Sequence, residues 1–86
     1  MAFEVDDAAS ATDVADTIAD AAGELLGYVR LFDTYRGEGV ADGRRSLTYR
    51  LRLQAPDRTL TDGEVGEIRS TVIDAVQERH PADLRG

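Results

Sequence analysis

Ser46-Leu47-Thr48-Tyr49-Arg50-Leu51-Arg52-Leu53-Gln54 is the stretch on which the fold depends. Leu47, Tyr49, Leu51 and Leu53 fall on one side of an extended chain, and Ser46, Thr48, Arg50, Arg52 and Gln54 on the other. That period of two marks a strand with one buried face. Upstream, Tyr28 to Tyr35 is rich in β-branched and aromatic residues and reads as a second strand. Between the two, Arg36 to Arg45 holds Gly37, Gly39 and Gly43, so a hairpin with a mobile tip is the simplest link. Alternation places Tyr35 with Val29 and Leu31 on the buried side, and Phe32 reads as a core aromatic. Tyr35 reaches the other face only if the strand bulges or bends near Phe32-Asp33.

Downstream of the alternating run, Thr61 and Glu64 have capping-box spacing, and Leu60 with Val65 occupy the two hydrophobic-staple positions. A helix therefore starts there, with Val65, Ile68, Val72, Ile73 and Val76 as its inner face and His80-Pro81 as its stop. Ala82 to Arg85 is long enough for a last short strand. At the other end, Ala2 to Asp6 alternates with Phe3 and Val5 on one face. Ser10 or Thr12 then caps a helix with apolar positions Val14, Ile18, Ala21, Ala22 and Leu25, ended by Gly23 or Gly27. The order is β-α-β-β-α-β, an α+β class of fold. Both helices bury their stripes if they pack on one face of a four-stranded antiparallel sheet. The other face stays open and carries Ala2, Glu4, Ser46, Thr48, Arg50, Arg52 and Arg85. RNA-recognition modules of this topology use such an open sheet to stack and position bases.

The 86 residues predict one domain, 1–86, with one core. A chain of this size buries only about 60 to 65% of its unfolded surface, which leaves little volume for an enclosed substrate cavity and disfavours an enzyme. The absence of cysteine excludes disulfides and thiolate metal sites. No run of about 18 apolar residues and no basic-then-apolar leader is present, so the expectation is a cytoplasmic protein with no membrane partner.

A net charge of -7 runs against a nucleic-acid partner, because phosphate neutralisation dominates such affinity. The charge is segregated, however. Residues 1–27 hold seven acids and no base, residues 28–58 hold seven arginines against four acids, and residues 59–86 hold three arginines against six acids. Every basic residue is Arg, the side chain suited to planar, bidentate contacts with phosphate or base edges.

Other motifs carry less. Gly37 to Gly43 opens no helix, so it is not a phosphate loop. His80 reads as a helix-terminal residue in favourable contact with the helix dipole. Asp13, Asp16, Asp20 and Glu24 recur at helical spacing but do not converge on a point, as a metal site requires. With a single histidine, no catalytic arrangement can be assembled. Neither a catalytic residue, a metal ligand nor a cofactor site is expected in this domain. Leu31 to Gly37 is different: two aromatics, an arginine and a carboxylate crowd a strand end beside the arginine-rich hairpin.

Four segments together resemble one known family: Leu31-Phe-Asp-Thr-Tyr-Arg-Gly37, Gly43-Arg-Arg-Ser-Leu-Thr-Tyr49, Thr59-Leu-Thr-Asp-Gly-Glu-Val65 and Ala82-Asp-Leu-Arg85. They are similar to ferredoxin-fold anticodon-binding domains, which close the β subunit of bacterial phenylalanyl-tRNA synthetases. The resemblance implies a ferredoxin-like sandwich that touches the anticodon stem-loop of tRNA-Phe while aminoacylation occurs in a remote domain of the α subunit. It implies partners in the rest of the β subunit and in the α subunit of an α2β2 enzyme, and ATP with magnesium as cofactors of that enzyme. Tyr35 resembles the family tyrosine expected to stack on the first anticodon base. Ser46 and Ala2 resemble positions lining the same base site, and Arg85 resembles a C-terminal arginine near it. Arg30, Arg50 and Arg52 are further candidates for phosphate or base contacts. Family members usually open with a longer first strand preceded by basic and proline residues, whereas this chain opens at Met1-Ala2, so an excised C-terminal piece of a longer chain is expected. The acidic first helix then has to face away from RNA. Two other readings of the same topology are an amino-acid-binding regulatory module, which needs a glycine-lined pocket at a strand-to-helix junction, and a protein-docking domain, which needs a large exposed apolar patch.

Overall fold

The computed structural model describes residues Met1–Gly86. It contains β1 (Ala2–Asp6), α1 (Ala11–Ala22), a 3-10 turn (Gly23–Leu25), β2 (Leu26–Tyr35), β3 (Arg44–Leu53), α2 (Asp62–Arg79) and β4 (Ala82–Leu84). The four strands form one antiparallel sheet in the order β2-β3-β1-β4. This is the α+β, βαββαβ architecture expected from the alternation and capping signals.

The sheet has one apolar face because the strands are in register. Phe3 pairs with Leu47 and with Leu84, and Val5 with Ala82, so Phe3, Val5, Leu47, Tyr49 and Ala82 project together. They form one core with Val14, Ile18 and Ala22 of α1 and Val72 and Val76 of α2. Both helices therefore lie on that face. Burial of a Leu, Val or Phe side chain stabilises by about 1.5 to 3 kcal/mol, so this cluster of ten residues is the main favourable contribution to folding. Tyr49 is fully buried; its hydroxyl donates to the Ala11 carbonyl at 2.7 Å, and burial pushes its ionisation up to about 12 although the Arg45 guanidinium pulls the other way.

Each helix end has an identifiable cause. Ser10 accepts a hydrogen bond from the Asp13 N–H at 3.2 Å and caps α1, and Gly23, at φ 68°, ends it. In α2 the capping box is complete: Thr61 Oγ1 accepts from the Glu64 N–H, and Glu64 accepts from the Thr61 N–H. The Arg58 guanidinium, 2.6 Å from Glu64, and the Thr61 N–H hold that carboxyl below the usual range. His80 caps the other end, its N–H donating to the Val76 carbonyl, and its ring Nε2 lies 2.7 Å from Thr17 Oγ1. The histidine thus ties α2 to α1 as well as closing its own helix.

Four expectations need correction. Phe32 is not in the core: it is 62% exposed, because the strand bulges there and carries the ring outward. Leu31 is exposed too, since β2 is an edge strand. Val65 is exposed where Val72 and Val76 are buried. The ladder from β1 reaches only Thr48, with Met1 bonding to Tyr49 beyond it. Val65 lies past that point and lines, with Leu51, Leu53 and Ile68, a groove of about 440 Å³. The two hairpin strands are also longer at their starts than expected. Leu26 pairs with Leu53, and the extra residue Gly27 is accommodated because a Cβ there would meet the Arg52 carbonyl oxygen at 3.2 Å.

Candidate nucleic-acid interface

Residues directly opposite one another in an antiparallel ladder share a face, so the register builds the exposed side of the sheet. On β1 and β3 the pairs Ala2–Thr48, Glu4–Ser46 and Asp6–Arg44 point away from the helices, as does Asp83 beside Glu4. On β2, Tyr28 lies opposite Arg52 and Arg30 opposite Arg50. The register then slips by one residue between Leu31 and Asp33, after which Asp33 lies opposite Thr48 and Tyr35 opposite Ser46. Without the slip, Tyr35 would face the helices with Leu31. The bulge at Phe32 reverses its side, which is the condition alternation set for Tyr35 to join this surface.

Tyr35 is 42% exposed and Ser46, opposite it, only 6%. The tyrosine hydroxyl donates to the Glu38 carbonyl at 3.0 Å, which pins the far edge of the ring to the hairpin tip. A Cβ on Gly37 would stand 3.2 Å from that hydroxyl, so the tip approaches this closely because residue 37 is glycine. Arg85 follows β4 and donates its N–H to the Ala2 carbonyl at 2.8 Å. Its guanidinium reaches across the sheet to the same tip, 3.6 Å from the Cβ position of Gly39. Ala2, Tyr35, Ser46 and Arg85, read from four separate segments, thus stand on one face.

Nine of the ten arginines divide into two groups; the tenth, Arg69, is exposed on α2 at the rim of the groove. Arg36 pairs with Asp7, Arg58 with Glu64 and Arg79 with Asp20. Arg44 is held among Glu4, Asp6 and Asp83, at 3.5, 3.9 and 3.1 Å, and donates to the Glu4 and Pro81 carbonyls. Arg45 donates to the carbonyls of Asp6, Asp7 and Ala9, closing the turn from β1 into α1. These five bind the chain to itself. Arg30, Arg50, Arg52 and Arg85 have no such carboxylate partner, and all four are exposed on or beside the open face. Arg30 and Arg50 are directly opposed, an arrangement of like charges that costs stability in a sheet. They lean on aromatic rings instead, Arg30 at 5.5 Å from the Tyr28 centroid and Arg50 at 4.6 Å from that of Phe32.

The net charge of -7 is therefore not the charge of this surface. Asp13, Asp16, Asp20 and Glu24 are exposed on α1 and the turn after it, in the helical layer on the opposite side of the sheet. They form no metal cluster, and no group of three or more His, Cys, Asp or Glu side chains is placed to hold an ion. The turn from Asp6 to Ser10 has no glycine-lined pocket; the Arg45 guanidinium fills its carbonyls. No helix is long and apolar enough to cross a membrane. Tyr28 and Phe32 are surface residues that the sequence does not reveal, because aromatic residues in a strand read first as core.

The family model described as the ferredoxin-fold anticodon binding domain matches residues 1–85. Among curated proteins, the chain is 46% identical over 85 residues to the phenylalanine–tRNA ligase beta subunit of Corynebacterium jeikeium, covering 99% of this chain and 10% of that protein. It is 48% identical over 86 residues to the subunit of the same name from Thermobifida fusca, covering 100% of this chain and 10% of that protein. For the Synechococcus sp. subunit of that name the identity is 49% over 76 residues, 88% of this chain and 9% of that protein. The chain spans about a tenth of the length of these relatives.

Proposed function

The chain belongs to the family of ferredoxin-fold anticodon-binding domains, and from that premise we propose that its open sheet face binds the anticodon stem-loop of tRNA-Phe. It does so as an accessory domain near the C-terminal end of a phenylalanine–tRNA ligase β subunit. The observation that supports this reading most strongly is the placement of Tyr35 opposite Ser46 on a face whose exposed arginines lack carboxylate partners. Tyr35 stacks on an unpaired base, and Ser46 hydrogen-bonds to its edge. Ala2 leaves room beside them, and Arg85, Arg30, Arg50 and Arg52 take the phosphates. The domain positions; chemistry, with its ATP and magnesium, belongs to the α subunit of a cytoplasmic α2β2 enzyme.

Paired substitutions at Tyr35 test the reading. Tyr35→Ala removes the ring and weakens binding of the anticodon stem-loop by about 1 to 3 kcal/mol, the range for base–aromatic stacking. Tyr35→Phe keeps the ring, loses only the bond to the Glu38 carbonyl, and binds nearly as the parent does. Because Tyr35 is exposed, neither change unfolds the domain. Equal affinity of the alanine variant and the parent, measured by titration, would remove the stacking role.

A docking reading has one observation in its favour, the groove lined by Leu51, Leu53, Val65 and Ile68. It lies at the exposed edge of β3, toward α2, and its rim includes Phe32 and Arg50 of the open face, so a protein contact there leaves the Tyr35–Ser46 surface free but competes with any ligand held on Phe32.

A further inference from the structure

The extra residue in β2 turns Tyr35 onto the open face, and it also delivers a second aromatic to that face. Phe32 is the inserted residue. It is the most exposed large hydrophobic side chain in the chain, and the Arg50 guanidinium lies over its ring. Arg30 faces Arg50 across the ladder, and Tyr28 faces Arg52. An exposed phenylalanine has an unfavourable contact with water, and a pair of opposed arginines has unfavourable repulsion. The Arg50–Phe32 contact covers part of the ring but brings no negative charge to the opposed arginines. A planar, π-faced, negatively charged ligand relieves both: its base stacks on the ring and guanidinium planes while its phosphate neutralises the arginines.

We propose, resting on the RNA-binding reading above, that Phe32 with Arg50 is a second stacking platform, so that the face holds two unpaired nucleotides, one on Tyr35 and one on Phe32. Tyr35 lies opposite Ser46 and Phe32 between the partners of Thr48 and Tyr49, a separation of roughly 8 Å at a strand rise of ~3.4 Å per residue. Bases stacked on one another in a helical strand are about 3.4 Å apart. The two bases are therefore splayed, each on its own ring, with the backbone between them running past Thr48 toward Arg30 and Arg50. Phe32 becomes a specificity-neutral anchor, since every base has a π face.

The test combines Phe32→Leu and Tyr35→Ala with stem-loop RNAs in which one loop base at a time is removed to leave an abasic site. Affinity is measured by fluorescence anisotropy. Phe32→Leu keeps apolar bulk and removes the π face; an unchanged melting temperature shows that the exposed site has not unfolded. The expected result is a loss of about 5- to 150-fold for Phe32→Leu on intact RNA. That loss disappears on one abasic RNA, and the loss from Tyr35→Ala disappears on a different one, adjacent in sequence. If Phe32→Leu binds as the parent while Tyr35→Ala is weakened, the second platform is absent and the Tyr35 reading stands. If a single abasic position silences both variants, only one base is held and the proposal fails. Weakening by Phe32→Leu alone would keep the Phe32 platform and remove Tyr35 as a stacking residue. If the parent does not bind the RNA at all, both fall.

Discussion

The division of the arginines carries a quantitative consequence for salt dependence. Arg30, Arg50, Arg52 and Arg85 are the candidates for phosphate contacts on the open face; Arg36, Arg44, Arg45, Arg58 and Arg79 are engaged with the chain's own acids and carbonyls. Each phosphate contact to a single strand contributes about -0.7 to the slope of log K against log salt, so four contacts give a slope of about -2.8. Raising salt from about 50 to about 200 mM then weakens binding about 50-fold. Replacing Arg52 by Gln lowers the slope to about -2.1 and the same salt step to about 20-fold. Arg58→Gln and Arg79→Gln, which alter the same formal charge on the helical side, leave the slope as it is. The assay is anisotropy of a labelled anticodon stem-loop across a salt series for the parent and the three variants. A slope near zero, or equal reductions from Arg58→Gln and Arg52→Gln, would refute the reasoning, because net charge rather than placement would then govern binding.

Stability predictions follow from single contacts. Thr61→Ala removes half of the capping box and costs about 1 kcal/mol, read as a shift of the urea midpoint with unchanged m-value. Glu64 is held below its unfolded value by Arg58 and Thr61. Its contribution is therefore present above the unfolded pKa and lost as pH falls through the folded one, and the stability gap between parent and Glu64→Gln closes under acid. Tyr49 behaves in the opposite sense. Its folded pKa is raised from 10.0 to about 12, so the unfolded chain loses its proton first and stability falls as pH rises across that interval. Tyr49→Phe removes that alkaline loss. It also weakens the fold near neutrality by about 1 kcal/mol through the missing bond to the Ala11 carbonyl, as alkaline and neutral thermal melts will show.

Much of the architecture was legible because local chemistry and global fold agree. Leu47, Tyr49, Leu51 and Leu53 alternate without interruption, and Thr61 with Glu64 announces a helix through the two hydrogen bonds that then form. The bulge was not legible. Leu31-Phe32-Asp33 reads equally well as regular strand, and the slip is visible only as a mismatch with Tyr49 and Thr48 on the partner strand. Phe32 and Leu31 read as interior residues because hydrophobicity does not say whether a strand lies at a sheet edge. The arginines were indistinguishable for the same reason. Arg44 and Arg45 differ from Arg50 and Arg52 only in what the sheet register and the turn after β1 bring near them. Alternation alone places Ala2, Ser46 and Arg85 on one face, the resemblance adds Tyr35 to them, and the geometric basis for Tyr35 needs the register slip.

The central claim is that the open face of the sheet, centred on Tyr35 and Ser46, is the RNA-binding surface. The most direct test is a titration of the isotopically labelled chain with the anticodon stem-loop of tRNA-Phe, following backbone amide shifts at two salt concentrations. Salt-sensitive shifts clustered at Ala2, Tyr35, Ser46 and Arg85, with α1 unmoved, are the predicted result. Shifts confined to the groove around Leu53 and Val65, or none at high RNA concentration, would contradict it.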